Sequence, residues 1–374
     1  MKIKLLFIYG PLGGGGAERV LIDFLSNLDI EKYEVDLCLL INGGILLPEV
    51  PKYVNIIPLF PSYTNYYKLA FRMSKWGITN VLFQRILAKK LVKKYDVEIS
   101  FLEGMPLKLH AFMKTKAKKI TWVHCDLFNF HYTNNLFSTG EEVAAYNKID
   151  KIVCVSNDAE SAFEKRFANC TTDRLVIYNP IDIAKIQKLA NGSVKNKNDN
   201  FTVVAVGRLT MPKKLDRVIR LAARLKSERV NIHFQIIGDG ELKDDLKNLT
   251  KELNVEDCVV FKGFIKNPYP YIKKADLMLL SSGFEGFGLV ICEAMCLGTA
   301  VVSTKTAGPI EIIENNKFGL LCDHDDEAIF QAVKTMIENQ ELRKQYQEVG
   351  IERAKQYSVG NALTNFDNMI NNLL

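Results

Sequence analysis

The chain has 374 residues, 48% apolar and 25% charged, with a net charge of +6. That is enough for two domains, each able to bury a substantial core, and the balance is that of a globular protein, not a disordered or fibrous one. No window reads as a membrane-spanning helix, and the opening run Met1 to Gly10 is too short and too soon interrupted for a signal peptide.

Strand and helix patterns alternate from the start, which predicts an α/β architecture with mainly parallel sheets. The run Lys2 to Tyr9 reads as a strand, followed by a glycine-rich turn and a helix over Val20 to Leu28. Further strands are predicted at Val35 to Ile41, Asn55 to Phe60, Val97 to Leu102, Ile120 to His124, Ile152 to Ser156 and Leu175 to Tyr178, closing at the turn Asn179 to Asp182. The polar stretch Asn191 to Asn200 reads as an exposed loop. A second series then places strands at Thr202 to Val206, Ile232 to Ile237, Val259 to Gly263, Leu277 to Ser281 and Ala300 to Ser303. Its helices fall near Leu215 to Lys226, Leu242 to Leu253 and Glu327 to Glu338, and Leu342 to Leu374 is helical with a break near Ser358 to Gly360. Two similar halves predict two facing Rossmann-like domains with a cleft between them. Residues 1–178 with 357–374 form the first and 179–356 the second. The eight cysteines, Cys38, Cys154 and Cys292 among them, are scattered through apolar segments without a C-x-x-C pair, which fits a reducing cytosol.

The stretch Gly283 to Ala300 is the one around which the chemistry gathers. A strand, a glycine-interrupted loop and a helix succeed one another there, and the first-turn N–H groups of a helix lack internal partners and sit at the positive end of its dipole. The loop at Gly286, Phe287, Gly288 and Leu289 can therefore receive a phosphate. Glu285 in the loop and Glu293 eight positions later can accept hydrogen bonds from different hydroxyls of one ligand. Arg208 at a strand end and Lys213 five residues on can neutralise a diphosphate, although surface cations are common. The run Gly13 to Gly16 sits between a strand and a helix, where glycine permits close backbone approach. It matches a dinucleotide fingerprint only trivially. His124 ends a strand, a position equally open to a structural histidine. The remaining histidines, His110, His131, His233 and His324, have no ligand spacing, and no D-x-D ends a strand, so neither metal nor cofactor is expected.

Between Ser62 and Tyr95 lie eight basic residues, Lys68, Arg72, Lys75, Arg85, Lys89, Lys90, Lys93 and Lys94, and no acidic one. Tyr66, Tyr67, Phe71, Trp76, Leu82, Phe83, Ile86 and Leu87 interleave with them. The combination suits an anionic membrane surface, or else a solvated face over an ordinary core helix; nucleic acid is not expected, because no recognition motif accompanies the charge.

Glu285-x7-Glu293 with Gly-Phe-Gly inside it, Gly15-Gly16-Ala17-Glu18-Arg19-Val20, and Gly207-Arg208-Leu209 followed by Lys213 resemble the donor-site signature of family 4 glycosyltransferases. The resemblance covers most of the chain and is strongest from Val203 to Ile312. It implies a retaining GT-B enzyme that moves a hexosyl unit from a nucleotide diphosphate sugar, a UDP-sugar in the first instance, to an acceptor hydroxyl. The acceptor it implies is a lipid-linked saccharide of surface polysaccharide synthesis, met at the cytoplasmic face of the membrane. In a GT-B chain the last helix crosses back to the first, acceptor-binding domain, and the second binds the donor. On this resemblance Gly16 approaches the donor diphosphate, and Arg208, Lys213 and the amides of Gly286 to Leu289 stabilise it as it leaves. Glu285 orients sugar hydroxyls, Glu293 holds the ribose, and His124 lies near the reacting carbon. Lys262, Gly263 and Phe264 mark the base-reading segment, and Asp126 is assigned to an acceptor. Where the family carries Lys-Gly this chain has Lys213-Lys214, and Lys213 is taken as the phosphate ligand. A nucleotide-sugar epimerase of the same fold and a non-catalytic nucleotide-sugar-binding protein are the rival readings.

Overall fold

The computed structural model describes residues 2–62, 79–192 and 200–374. It consists of two compact units, one of Met1–Pro180 with Val359–Leu374 and the other of Ile181–Ser358.

The first unit is built on a parallel sheet of β1 (Ile3–Tyr9), β2 (Tyr33–Ile41), β3 (Asn55–Phe60), β4 (Val97–Ser100), β5 (Lys118–Val123), β6 (Lys151–Cys154) and β7 (Arg174–Val176). Their order is β3-β2-β1-β4-β5-β6-β7. A parallel strand covered on both faces must be apolar along its whole length. β1 obeys this, with Leu5, Leu6, Phe7, Ile8 and Tyr9 all buried. The helix Gly16–Asn27 presents Phe24 to an aromatic core that includes Phe7, Phe101 and Trp122. The last helix, Val359–Leu373, completes that core: Phe366 is fully buried and meets Phe24 edge-on at 5.0 Å. Its Asp367 accepts the Tyr33 hydroxyl at 2.6 Å and pairs with Lys32 at 3.1 Å.

The second unit repeats the plan with β8 (Phe201–Val206), β9 (Ile232–Ile237), β10 (Val259–Gly263), β11 (Leu277–Leu280), β12 (Ala300–Thr304) and β13 (Leu320–Cys322) in the order β10-β9-β8-β11-β12-β13. The helix Asp216–Ser227 buries Val218, Ile219, Leu221, Ala222 and Leu225, spaced along one face at the helical period. Helix Asp326–Glu338 begins where the Asp325 carboxylate accepts the Ala328 N–H at 2.8 Å. The expected α/β architecture of two Rossmann-like domains is therefore present. In each sheet the strand order reverses once, at β1/β4 and at β8/β11, and open parallel sheets bind ligands at the carboxyl ends of strands flanking such a reversal.

Several predicted strands stop early, because the chain leaves the sheet at these carboxyl ends: β4 ends at Ser100, β5 at Val123 and β11 at Leu280. Much of the polar loop at 191–200, residues 193–199, lies outside the described residues, as does 63–78 of the basic stretch with Lys68, Arg72 and Lys75. The rest of that stretch forms helix Thr79–Lys90 and a turn, on which Arg85, Lys89 and Lys94 are exposed. Lys93 departs from the expected surface role. Its ammonium lies 2.8 Å from Glu34 and 3.2 Å from Asp36, and Asp36 also accepts the Tyr95 hydroxyl at 2.6 Å, so this lysine neutralises a carboxylate buried in β2. Lys90 donates to the Pro58 carbonyl at 2.6 Å.

Candidate active site

In the second unit the loops leaving β8 and β11 flank the sheet reversal and are stitched together by the main chain. Gly283 N–H donates to the Pro212 carbonyl at 2.7 Å, and the Ser281 hydroxyl donates to the carbonyls of Lys213 and Lys214 at 3.0 and 3.2 Å. Arg217 reaches across to the Ser281 carbonyl at 3.0 Å. This seam sets the Lys213 ammonium directly on the Glu285 carboxylate, which also accepts the Ser282 hydroxyl at 2.9 Å. The pair is largely shielded, with 25% of the lysine and 12% of the glutamate side chain exposed. Lys214 instead turns the chain, with φ +49° and ψ +42°, a left-handed conformation that glycine adopts without strain. That turn explains how glycine suits this position in the motif.

Arg208 is exposed at the end of β8. The turn after β9 presses on this segment: Leu209 N–H donates to the Asp239 carbonyl at 3.0 Å, and a Cβ on Gly238 would lie 1.8 Å from the Gly207 oxygen. The Gly263 carbonyl accepts Gly238 N–H at 2.9 Å, which ties in the base-segment residues at the end of β10; there Lys262 is exposed and Phe264 is 54% exposed. Gly288, with φ +90°, opens helix Leu289–Cys296, while Gly286 and Phe287 are buried. A Cβ on Gly308 would lie 2.0 Å from the Phe287 oxygen, so backbone contact holds this loop in place. Glu293 accepts the Tyr269 hydroxyl at 3.2 Å, a partner that sequence reasoning missed.

In the first unit Gly16 is the exposed first residue of helix Gly16–Asn27. His124 follows β5 directly, its ring centroid 5.2 Å from that of Phe101. Burial pushes its imidazole down to about 3, with the Phe101 backbone opposing, so the ring is neutral at pH 7; both ring nitrogens are buried without a hydrogen bond of normal geometry. Its main-chain N–H donates to Glu103 at 2.9 Å, and the other oxygen of Glu103 accepts the Tyr132 hydroxyl at 2.9 Å. Glu103 is 2% exposed; burial raises its pKa, while the two donors lower it. Nothing in the sequence marks Glu103 except its place after a strand. Asp126 departs from its expected role toward an acceptor. It is buried and accepts the amides of Phe128 and Asn129, at 3.1 and 3.0 Å, and the Asn129 side chain at 2.7 Å, so its carboxylate builds the loop. Among the described residues no cluster of three or more His, Cys, Asp or Glu could hold a metal, and no helix is long and apolar enough to cross a membrane.

Comparison with known proteins gives this arrangement a lineage. Residues 14–185 match the family described as Glycosyltransferase Family 4, and residues 187–353 match Glycosyl transferases group 1. A relative from Campylobacter jejuni, N-acetylgalactosamine-N,N'-diacetylbacillosaminyl-diphospho-undecaprenol 4-alpha-N-acetylgalactosaminyltransferase, is 32% identical over 94% of each chain. The chain belongs to glycosyltransferase family 4. A second Campylobacter jejuni relative of this glycosyltransferase, GalNAc-alpha-(1->4)-GalNAc-alpha-(1->3)-diNAcBac-PP-undecaprenol alpha-1,4-N-acetyl-D-galactosaminyltransferase, is 26% identical over 96% of this chain and 95% of its own. The fold is GT-B: the crystal structure of Anabaena HepE with UDP and glucose superposes with a TM-score of 0.77 over 99% of both chains, at 21% identity.

Proposed function

We propose that this glycosyltransferase is a retaining, metal-independent enzyme that transfers a hexosyl unit, N-acetylhexosamine being the first to test, from a UDP-sugar to a hydroxyl of a lipid-linked saccharide at the cytoplasmic membrane surface. The observation that carries the reading is the Lys213–Glu285 pair beside the glycine loop that opens helix Leu289–Cys296. A cation and a carboxylate side by side are what a ligand with both a diphosphate and sugar hydroxyls requires. The diphosphate takes the ammonium and the loop amides, and the hydroxyls take the carboxylate. Arg208 adds positive charge, Glu293 with Tyr269 behind it holds the ribose, and Lys262, Gly263 and Phe264 read the base. The first unit binds the acceptor and the second binds the donor. The neutral His124 is the first unit's candidate catalytic residue. As the donor bond breaks, the growing charge on the leaving phosphate is stabilised by these fixed groups, and that phosphate takes the acceptor proton on the same face, which retains configuration.

UDP as the donor nucleotide is supported by the UDP named with the structural neighbour, and the lipid-linked acceptor by the names of both relatives. Exposed Arg85, Lys89 and Lys94 support the membrane surface, each cation near an anionic leaflet contributing about 1 kcal/mol. The test is incubation with UDP-N-acetylgalactosamine and polyprenyl-diphosphate-linked N-acetylgalactosamine, with and without EDTA, followed by NMR of the new anomeric centre. An α-linked product formed in EDTA is expected. A β linkage sinks the retaining mechanism, loss of activity restored only by Mg²⁺ or Mn²⁺ sinks metal independence, and an altered sugar nucleotide formed without acceptor favours an epimerase.

A further inference from the structure

The loop that leaves His124 carries three aromatic residues, Phe128, Phe130 and Tyr132, in alternate positions. Phe128 is 53% exposed and Tyr132 41% exposed, and the rings of Phe130 and Tyr132 lie near-parallel, 6.0 Å apart with 26° between their planes. Exposed aromatic rings on a mobile loop would mean little, but this loop is fastened from within. Asp126 holds the amides of Phe128 and Asn129, its carbonyl accepts Phe130 N–H at 3.0 Å, and Thr133 donates to the buried Glu142 at 2.6 Å. His131 bridges Glu142 at 2.7 Å and Arg166 at 2.6 Å. Tyr132 stays partly exposed although its hydroxyl donates inward to Glu103, and the other oxygen of Glu103 holds the His124 N–H. One buried carboxylate thus fixes the aromatic ring and the candidate catalytic histidine relative to each other, at the carboxyl end of β4, where the sheet order reverses.

We propose that Phe130 and Tyr132 form a ledge on which a sugar ring of the acceptor stacks, with Glu103 as the positioning residue that sets the ledge against His124. A pyranose has one face of C–H bonds that packs on an aromatic plane and a rim of hydroxyls that stay hydrated, and a ledge whose ordering cost is already met by the fold binds it with little entropy loss. The proposal rests on the acceptor being a saccharide, as read above.

The test uses the full chain with the donor and acceptor named above. Phe130→Leu and Tyr132→Leu raise the acceptor KM about tenfold, the size of one lost aromatic face, with the donor KM within twofold of the parent. Tyr132→Phe keeps the ring but releases it from Glu103, and gives a smaller rise in acceptor KM with a fall in kcat; Glu103→Gln, which keeps one acceptor oxygen, does the same. If Tyr132→Leu does not fold, Phe130→Leu, which leaves the Glu103 bonds in place, supplies the comparison. An unchanged acceptor KM in folded leucine variants, or equal changes in both KM values, overturns the ledge. Saturation-transfer NMR with the methyl α-glycosides of N-acetylgalactosamine, galactose and glucose requires no turnover and separates the two readings. Saturation of C–H protons that is lost in Phe130→Leu supports the ledge even if no transfer occurs, in which case only the donor or acceptor identity fails. No saturation from any of the three overturns it.

Discussion

Breaking the Lys213–Glu285 pair has effects of opposite sign on two measurable quantities. In the chain by itself the pair is an intramolecular ion pair, mostly shielded from solvent. At about 4 Å and an effective dielectric of about 20 its gross attraction is about 4 kcal/mol, from which desolvation and the ordering of the lysine stem are subtracted, leaving a net coupling of about 1–2 kcal/mol. Urea unfolding of the parent, Lys213→Ala, Glu285→Gln and the double variant closes a cycle that measures this term. On the proposed reading the donor diphosphate must take the ammonium away from Glu285, so removing the carboxylate's charge favours UDP. Glu285→Gln then binds UDP about 5- to 30-fold more tightly by calorimetry, the same coupling expressed as affinity, while Lys213→Ala binds it more weakly. Turnover falls in both; in Lys213→Ala the loss is on the order of 10² to 10³, as for other preorganised groups that meet growing charge. Stability effects that simply add, or UDP affinity unmoved in both variants, would refute the reasoning.

Lys214→Gly removes a left-handed non-glycine residue at the cost of a more flexible unfolded chain, for a net gain of about 0.5–1 kcal/mol and a rise in Tm of about 1–4 °C by calorimetry; a lower Tm would show that the Lys214 side chain supports the seam. Because His124 is held neutral, with its pKa pushed down from 6.5 to about 3, the unfolded chain binds a proton that the folded one does not. Stability is therefore lost as pH falls from 6.5 toward 3, by about 2 kcal/mol on reaching pH 5, and His124→Gln is free of this loss when urea midpoints are compared at pH 8 and pH 5. Co-sedimentation with anionic liposomes drops when Arg85, Lys89 and Lys94 become serine, and drops in high salt; equal sedimentation with neutral liposomes would reduce the basic stretch to a solvated face.

The parallel strands were legible because burial on both faces leaves an uninterrupted apolar run, and the loops at their carboxyl ends because glycine is tolerated where backbones touch. β13 escaped notice: three residues, Leu320–Cys322, are too few to show a pattern. Helix Met105–Ala111 was hidden for another reason. Its Lys108 and His110 look like a polar face, yet both are buried; Lys108 is held by Glu141 at 2.9 Å, the Leu136 carbonyl at 2.8 Å and the face of Phe137. The same blindness covers Glu103 and Asp126. Whether a carboxylate serves solvent, ligand or loop depends on donors brought in by folding: Tyr132, distant in sequence, for Glu103, and the next turn of chain for Asp126. The same holds for Lys93, whose partners Glu34 and Asp36 lie on β2, distant in sequence.

The placement of Phe366 sets an order for biosynthesis. The first 180 residues leave the ribosome with their aromatic core still missing its last side chain, whereas Ile181–Ser358 can close as soon as it is complete. At about 5–20 residues per second the gap before Phe366 arrives is on the order of 10–40 s. The half of the enzyme made first is thus finished last, and throughout that interval it exposes an apolar seam that a shortened chain would never cover.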